Sequence, residues 1–322
     1  MLKLGVLTVP LQGQPADKAF AYLHSLGVQC VELGTGGYTN HNHCNPDLLL
    51  AEEGRIAELK ELLAKNELTI AALSCHGNPV HPDKALAAEY HRVFLQTCEL
   101  AEKLGVDTIV TFSGCPGDSE GSKYPNWVTC PWPDDFGAIL DWQWNQVLIP
   151  YWKEAVKIAA AHGVKKIALE MHPGFCVYNP ATLLRLRAAV GDMIGANFDP
   201  SHLIWQGMDP VAALRELKGA VYHFHAKDTR VDKYNTARNG VLDTGSYGNI
   251  AARSWVFRTV GYGTDQKAWK DMISTLCLIG YDGAVSIEHE DGLMSPREGL
   301  EKAVAFLKDL LIYEDPAAMW WA

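Results

Sequence analysis

The stretch KKIALEMHPGFCVYNPATLLRLRAAVGDMIGANFDPSHL (165–203) carries the pattern that decides the fold. KKIALE (165–170) and MIGANFD (193–199) are short apolar runs of strand length, and ATLLRLRAAV (181–190) between them has helical spacing. A strand, a helix and a second strand in that order imply parallel pairing through a right-handed crossover. Both strands finish on an acid, Glu170 and Asp199.

The same rhythm continues in both directions. Towards the N-terminus, KLGVLTV (3–9), VQCVEL (28–33), LTIAALS (68–74) and VDTIVTFS (106–113) read as strands, with helical patterns over 16–27, 47–65, 83–104 and 146–162. Towards the C-terminus, AVYHFHA (220–226) and GAVSIEHE (283–290) are strands, flanked by helices over 210–217, 266–280 and 295–311. Gly27, Gly105, Gly163 and Gly280 punctuate helix ends, as a left-handed terminal residue requires. Eight strands alternating with helices predict a single (β/α)8 TIM barrel over residues 1–322. Two connections are too long for ordinary barrel loops: 114–145 after the fourth strand and 227–265 after the seventh. Both follow strands, which puts them on the C-terminal face as lids, subunit contacts or plain decoration.

Composition narrows the function. Hydrophobic residues make up 48% and charged residues 20%, which suits a large core and excludes disorder. A net charge of −10, with no basic run longer than Lys165-Lys166, argues against nucleic acid as a partner. No stretch has the roughly 18 apolar residues of a membrane span. Pro10 and Pro15 interrupt the N-terminal segment before a signal-peptide core forms. The eight cysteines form no C-x-x-C pair, so reduced thiols and a cytoplasmic location are expected.

Four consecutive strands, the fifth to the eighth, end on Glu170, Asp199, His225 and Glu288. Neighbouring strand ends of a closed barrel converge on one rim, so these side chains can meet at one point. Alone, each reads equally well as a helix cap or a hydrogen-bonded core residue. Together, three carboxylates held close in a buried setting repel unless a cation offsets them. The oxygen-rich set favours one divalent ion: manganese first, with magnesium, cobalt or zinc as alternatives. His76, after the third strand, either contacts substrate or orders its loop. Lys227 and Asp228 either bind sugar hydroxyls or form ion pairs. His223 lies deeper on the face of His225 and orients it, and His289 faces away. Trp205, Trp127, Trp132, Trp142 and Trp144 either stack on a sugar or form small cores of their own.

The strings ALEMHPG (168–174), NFDPSHL (197–203), HFHAKD (223–228) and SIEHED (286–291) resemble the xylose isomerase-like TIM-barrel superfamily. Within it, the pattern is similar to sugar phosphate isomerase/epimerase proteins, including ketose 3-epimerases. The resemblance spans essentially the whole chain. It implies that Glu170, Asp199, His225 and Glu288 bind the metal and that Glu170 and Glu288 double as the acid/base pair. It also implies that His202 contacts the substrate and that Arg230 corresponds to an arginine binding a sugar hydroxyl, one residue early. His172 stands where the family usually carries another residue, and joins His76, Lys227 and Asp228 as a substrate-binding candidate. Cys176 replaces a glutamate typical of the ketose 3-epimerases. A small-molecule sugar and a homo-oligomer, dimer or tetramer, are the implied partners.

The expected chemistry is isomerisation or epimerisation of a keto-sugar through an enediolate. Elimination from the same intermediate, cleaving a 3-keto-glycoside, is the alternative. An apurinic endonuclease lacks support: strand four offers Thr111 and Ser113 rather than histidine ligands. A non-catalytic sugar-binding protein would not need a full ligand set.

Overall fold

The computed structural model describes residues 1–314, 319 and 321; the last part of the expected 1–322 unit lies outside them. The barrel strands are β1 (Lys3–Leu7), β2 (Cys30–Gly34), β3 (Thr69–Ser74), β4 (Thr108–Phe112), β5 (Lys166–Glu170), β6 (Ile194–Phe198), β7 (Val221–Ala226) and, last in sequence, β10 (Ala284–Ile287). All pair in parallel, and β1 closes on β10 to complete the ring. This is the (β/α)8 TIM barrel that the alternation of periods implies. The intervening strands β8 (Asp228–Val231) and β9 (Trp255–Arg258) form a separate antiparallel hairpin inside the second long insertion.

The main core lies between barrel and helices. Leu4, Val6, Val31, Leu33, Ile109, Ile167, Leu169, Phe198 and Phe224 point outwards from the strands into it and are buried. Inside the barrel, Ala72, Val110 and Ala168 form a small apolar layer. Two residues further along those strands the lining turns polar, with Ser74 and Glu170. Strand alternation therefore stacks an apolar floor beneath a polar mouth.

Two register shifts re-aim residues at that mouth. One falls between Val31 and Glu32 in the β2–β3 pairing, the other between Ala196 and Asn197 in the β6–β7 pairing. Bulges of this kind redirect side chains without ending the strand.

Local chemistry also corrects one expected helix and gives both insertions their structure. The helix expected over 47–65 is two helices, Pro46–Ala51 and Arg55–Lys65, because Gly54 adopts φ 88° and interrupts the run. The insertion over 114–145, read as a connection too long for an ordinary barrel loop, is helical from Asp134. Asp134 and Asp135 occupy that helix's first turn, where acidic side chains meet the unpaired amides, and the chain runs through a wide turn at Gln143–Leu148 into the helix Ile149–Ala161. The second insertion is ordered around its hairpin, with a helix at Lys233–Asn239.

Candidate metal centre

Glu170 ends β5, Asp199 follows β6, His225 lies near the end of β7, and Glu288 follows β10. One donor atom from each lies within 4.8 Å of all the others. Asp199 and His225 are completely buried, while Glu170 and Glu288 reach a cavity of about 130 Å³ at the barrel mouth.

Each ligand candidate is held by its own local structure. Asp199 caps the helix Pro200–Trp205: its Oδ1 accepts from the Ser201 amide at 2.8 Å, which leaves Oδ2 aimed into the cluster. Cap and ligand are thus two ends of one carboxylate. The Glu170 carboxylate accepts from His76 Nε2 (2.8 Å), Asn197 Nδ2 (3.2 Å) and His202 Nε2 (3.0 Å). Burial alone would raise its pKa, but those imidazoles hold it well below the usual carboxylate range. His225 Nδ1 lies 3.0 Å from Glu288 and 3.4 Å from Glu170.

Lys227 is the cation within this cluster. Its ammonium is buried, 3.0 Å from Asp199 Oδ2, 3.0 Å from Glu288 Oε2 and 3.2 Å from Glu290. Burial works against its charge, yet these acids raise its pKa well above the ordinary value. The Glu288 carboxyl, which burial would push up, is held down to about 2 mainly by Lys227. Asp199 goes the other way. Burial pushes it up to about 7, with Glu170 and Glu288 adding like charge and Lys227 opposing.

The residues fit a divalent ion. Asp199 Oδ2, Glu288 Oε2 and His225 Nδ1 are buried and face one another and the Lys227 ammonium as ion pairs, none of them in hydrogen-bond geometry among the described residues. Buried polar atoms are nearly always hydrogen-bonded, and donor atoms that converge on one point held by charge alone offer a divalent cation a place.

The remaining candidates separate clearly. His76, His172 and Lys227 line the cavity, and His202 is buried directly behind it, 3.2 Å from Asp199 and 4.1 Å between ring centroids from His172. Phe112 completes one wall, stacked on Phe175 at 4.2 Å and edge-on to His76 at 4.5 Å. Asp228 and Arg230 line neither this cavity nor its neighbour. Asp228 is buried in a backbone knot, where its carboxylate accepts from the Gly261, Gly263 and Thr264 amides and from Trp269 Nε1. Gly263 approaches so closely that a Cβ there would lie 2.5 Å from Asp228 Oδ1. Arg230 is exposed on the hairpin, carried outwards by its pairing with Val256. The tryptophans line no part of the metal cavity. Trp205 stacks on Trp255 at 4.5 Å, Trp144 is buried beneath Arg185, and Trp127 packs on Tyr178. His289, expected to face away, lines the cavity wall.

Sequence reasoning passed over Glu32. It is fully buried in β2 and accepts from Ser74 Oγ, Ser286 Oγ (2.9 Å), His223 Nε2 (2.7 Å) and His225 Nε2 (2.9 Å). By accepting from the Nε2–H it turns Nδ1 of His225 towards the candidate metal site, the usual arrangement for a ligating imidazole. The available signal was a carboxylate inside the otherwise apolar run VQCVEL. Glu290, beside Lys227, was also passed over.

A closed parallel barrel with an oxygen-rich donor set at its C-terminal mouth defines the class: a TIM barrel built round a candidate divalent-metal centre. The chain belongs to the xylose isomerase-like TIM barrel family, whose model matches residues 20–310. It is 42% identical over 312 residues to the Bacillus subtilis (strain 168) protein YfiH, covering 96% of this chain and 99% of that one. Among solved structures, it is similar to the probable 3-DHS dehydratase AsbF of Bacillus anthracis, with TM-score 0.66, 17% identity and coverage of 95% and 98% of the two chains. A D-tagatose 3-epimerase-like protein matches with TM-score 0.63, 19% identity and coverage of 96% and 98%. At those identities the structural matches establish the shared barrel.

Proposed function

We propose that this chain is a divalent-metal-dependent isomerase or epimerase that works through the enediolate of a keto-sugar. The observation that carries the reading is the meeting of four donor atoms within 4.8 Å at the barrel mouth, three of them in no hydrogen bond among the described residues. The oxygen-rich donor set favours manganese, and Glu170, Asp199, His225 and Glu288 would hold it. Such an ion, when bound, grips a carbonyl and its neighbouring hydroxyl and offsets the charge that develops as the α-proton leaves.

The protein's own groups supply the rest. Glu170 and Glu288 stay ionised near neutrality, so either can take a proton from a carbon held between them. His76 and His202 fix the Glu170 carboxylate in place through its two oxygens. The apolar rings of Phe112 and Tyr38 line the cavity and limit water there. His172 and Lys227 present polar atoms to the sugar hydroxyls.

A second reading is supported by Lys227. A buried ammonium 3.0 Å from Glu288 can donate a proton to a departing oxygen, which turns proton abstraction into elimination from a 3-keto-glycoside. The AsbF structure, described as a probable dehydratase, agrees with that chemistry on this fold.

Deuterium exchange separates these readings. Manganese-loaded protein is incubated in D2O with a panel of ketoses and 3-keto-glycosides, followed by NMR. Wash-in at the α-carbon with an isomeric product supports isomerisation, and a released alcohol with an unsaturated sugar supports elimination. Absence of both exchange and alcohol release on every compound, with manganese bound, would sink both.

A further inference from the structure

Beside the metal cavity lies a larger one, about 500 Å³ against about 130 Å³. His172 and Glu290 line both, so the two share a wall. The larger cavity is walled by Tyr247, Ile250, Val256 and Phe257 from the insertion after β7, with Leu293 from the turn after β10. Its charged groups are already engaged: Arg258 Nε donates to Asp291 at 3.0 Å, and Glu290 faces Lys227 at 3.2 Å. Phe257 joins the two spaces. Its ring lies 5.3 Å from that of His202 and 4.8 Å from Lys227 Nζ, both part of the metal site, and Tyr247 lies nearly parallel to it, 14° off at 6.1 Å.

A bare polyol, hydroxylated on every carbon, gains little from such walls. A ring does gain, because burying apolar area against apolar walls is favourable and offset aromatic stacking adds to it. The volume falls within the range of small-molecule sites, and the shared His172 and Glu290 set any occupant beside a sugar held in the metal cavity. We propose that this cavity is a subsite for an aromatic substituent carried by the sugar whose carbonyl occupies the metal cavity. The subsite rests on the keto-sugar reading above for its other half, and on its own walls for the substituent.

The test compares paired ligands on manganese-loaded full-length protein by calorimetry: mono-O-benzyl and mono-O-methyl ethers of D-fructose, substituted at each hydroxyl in turn. For at least one position the benzyl ether should bind ten or more times tighter than its methyl partner. Ile250→Trp and Leu293→Trp, each checked for folding by circular dichroism, should reduce that ratio below threefold by filling the space. No benzyl preference at any position overturns the subsite, as does a preference that survives both substitutions. A dimer that dissociates on Leu293→Trp without any benzyl preference assigns the wall to a second copy and overturns it too. Affinity is read here rather than turnover, so loss of the isomerase reading leaves this result standing. Conversely, α-proton exchange without benzyl preference removes the subsite alone.

Discussion

Two buried acid–imidazole clusters share His225, and they differ in one respect. In the lower cluster, Glu32 meets His223, His225, Ser74 and Ser286, and both its oxygens accept hydrogen bonds. In the upper cluster, Glu170, Asp199 and Glu288 gather at the same imidazole, yet Asp199 Oδ2, Glu288 Oε2 and His225 Nδ1 are held by charge, with Lys227 among them, and not by hydrogen bonds. Burial would raise Glu32, but His225 and His223 hold it well below the ordinary range. The lower cluster is complete as protein. The upper one carries three acids against one ammonium and leaves room for a divalent cation, and His225 passes the order of the first to the geometry of the second.

The largest effect should come from the upper cluster. Glu170→Gln and Glu288→Gln should each lower kcat/KM by about 10³-fold or more, since on the proposed function each removes a metal ligand and a proton acceptor together. Both carboxylates are held below the ordinary range by the neighbouring imidazoles and Lys227, so each substitution should also lower the melting temperature of the metal-free protein. A melting temperature that rises would show that repulsion among the acids outweighs those contacts. Glu32→Gln should cost stability without removing a group from the upper cluster. It leaves buried imidazoles without their counter-charge, at a cost on the order of 3 kcal/mol in chemical unfolding. It should also weaken manganese binding by about 10- to 100-fold, the usual penalty for losing the partner of a ligating histidine.

A pH titration of manganese affinity refines the contrast. Asp199, raised to about 7, must lose its proton to ligate. His225 must lose one as well: burial lowers its pKa, but Glu32 and Glu288 raise it well above the ordinary value. Metal and protons therefore compete. Below pH 7, about two protons should leave per ion bound, so affinity climbs roughly 100-fold per pH unit; above 7 only the His225 proton remains and the climb slows to about tenfold. In Asp199→Asn the break near pH 7 should vanish. A break that persists in that variant would assign it to another group.

How much of this could be read from sequence follows from what kind of information each feature needs. The barrel strands and the four ligand candidates follow from period and from position at strand ends, both local properties. Glu32 does not, because its role depends on the register shift beside it and on two serines from β3 and β10. The helix at Asp134–Trp142 does not stand out in the sequence because it is only nine residues long and carries Gly137, a poor helix former, in its middle. The apolar cavity could not be seen at all: it forms only where the β8–β9 hairpin folds back over the barrel mouth and Leu293 closes the side.

That hairpin also sets apart the two residues whose placement departs most from the sequence reading, and it makes the smallest predicted effects the most pointed. Asp228 and Arg230 follow His225 closely, and nearness in sequence suggested sugar contacts. The chain turns away from the barrel after Lys227, so Asp228 holds the 261–264 loop while Arg230 faces solvent. Asp228→Asn should cost about 1–3 kcal/mol in unfolding, because one buried amide donor replaces an acceptor amid several N–H groups. Arg230→Ala should leave stability and kcat/KM within about twofold, as surface substitutions away from such features do. A tenfold rise in KM for Arg230→Ala would mean that the hairpin swings inwards over bound sugar, and the boundary drawn here between the metal cavity and the insertion would have to move.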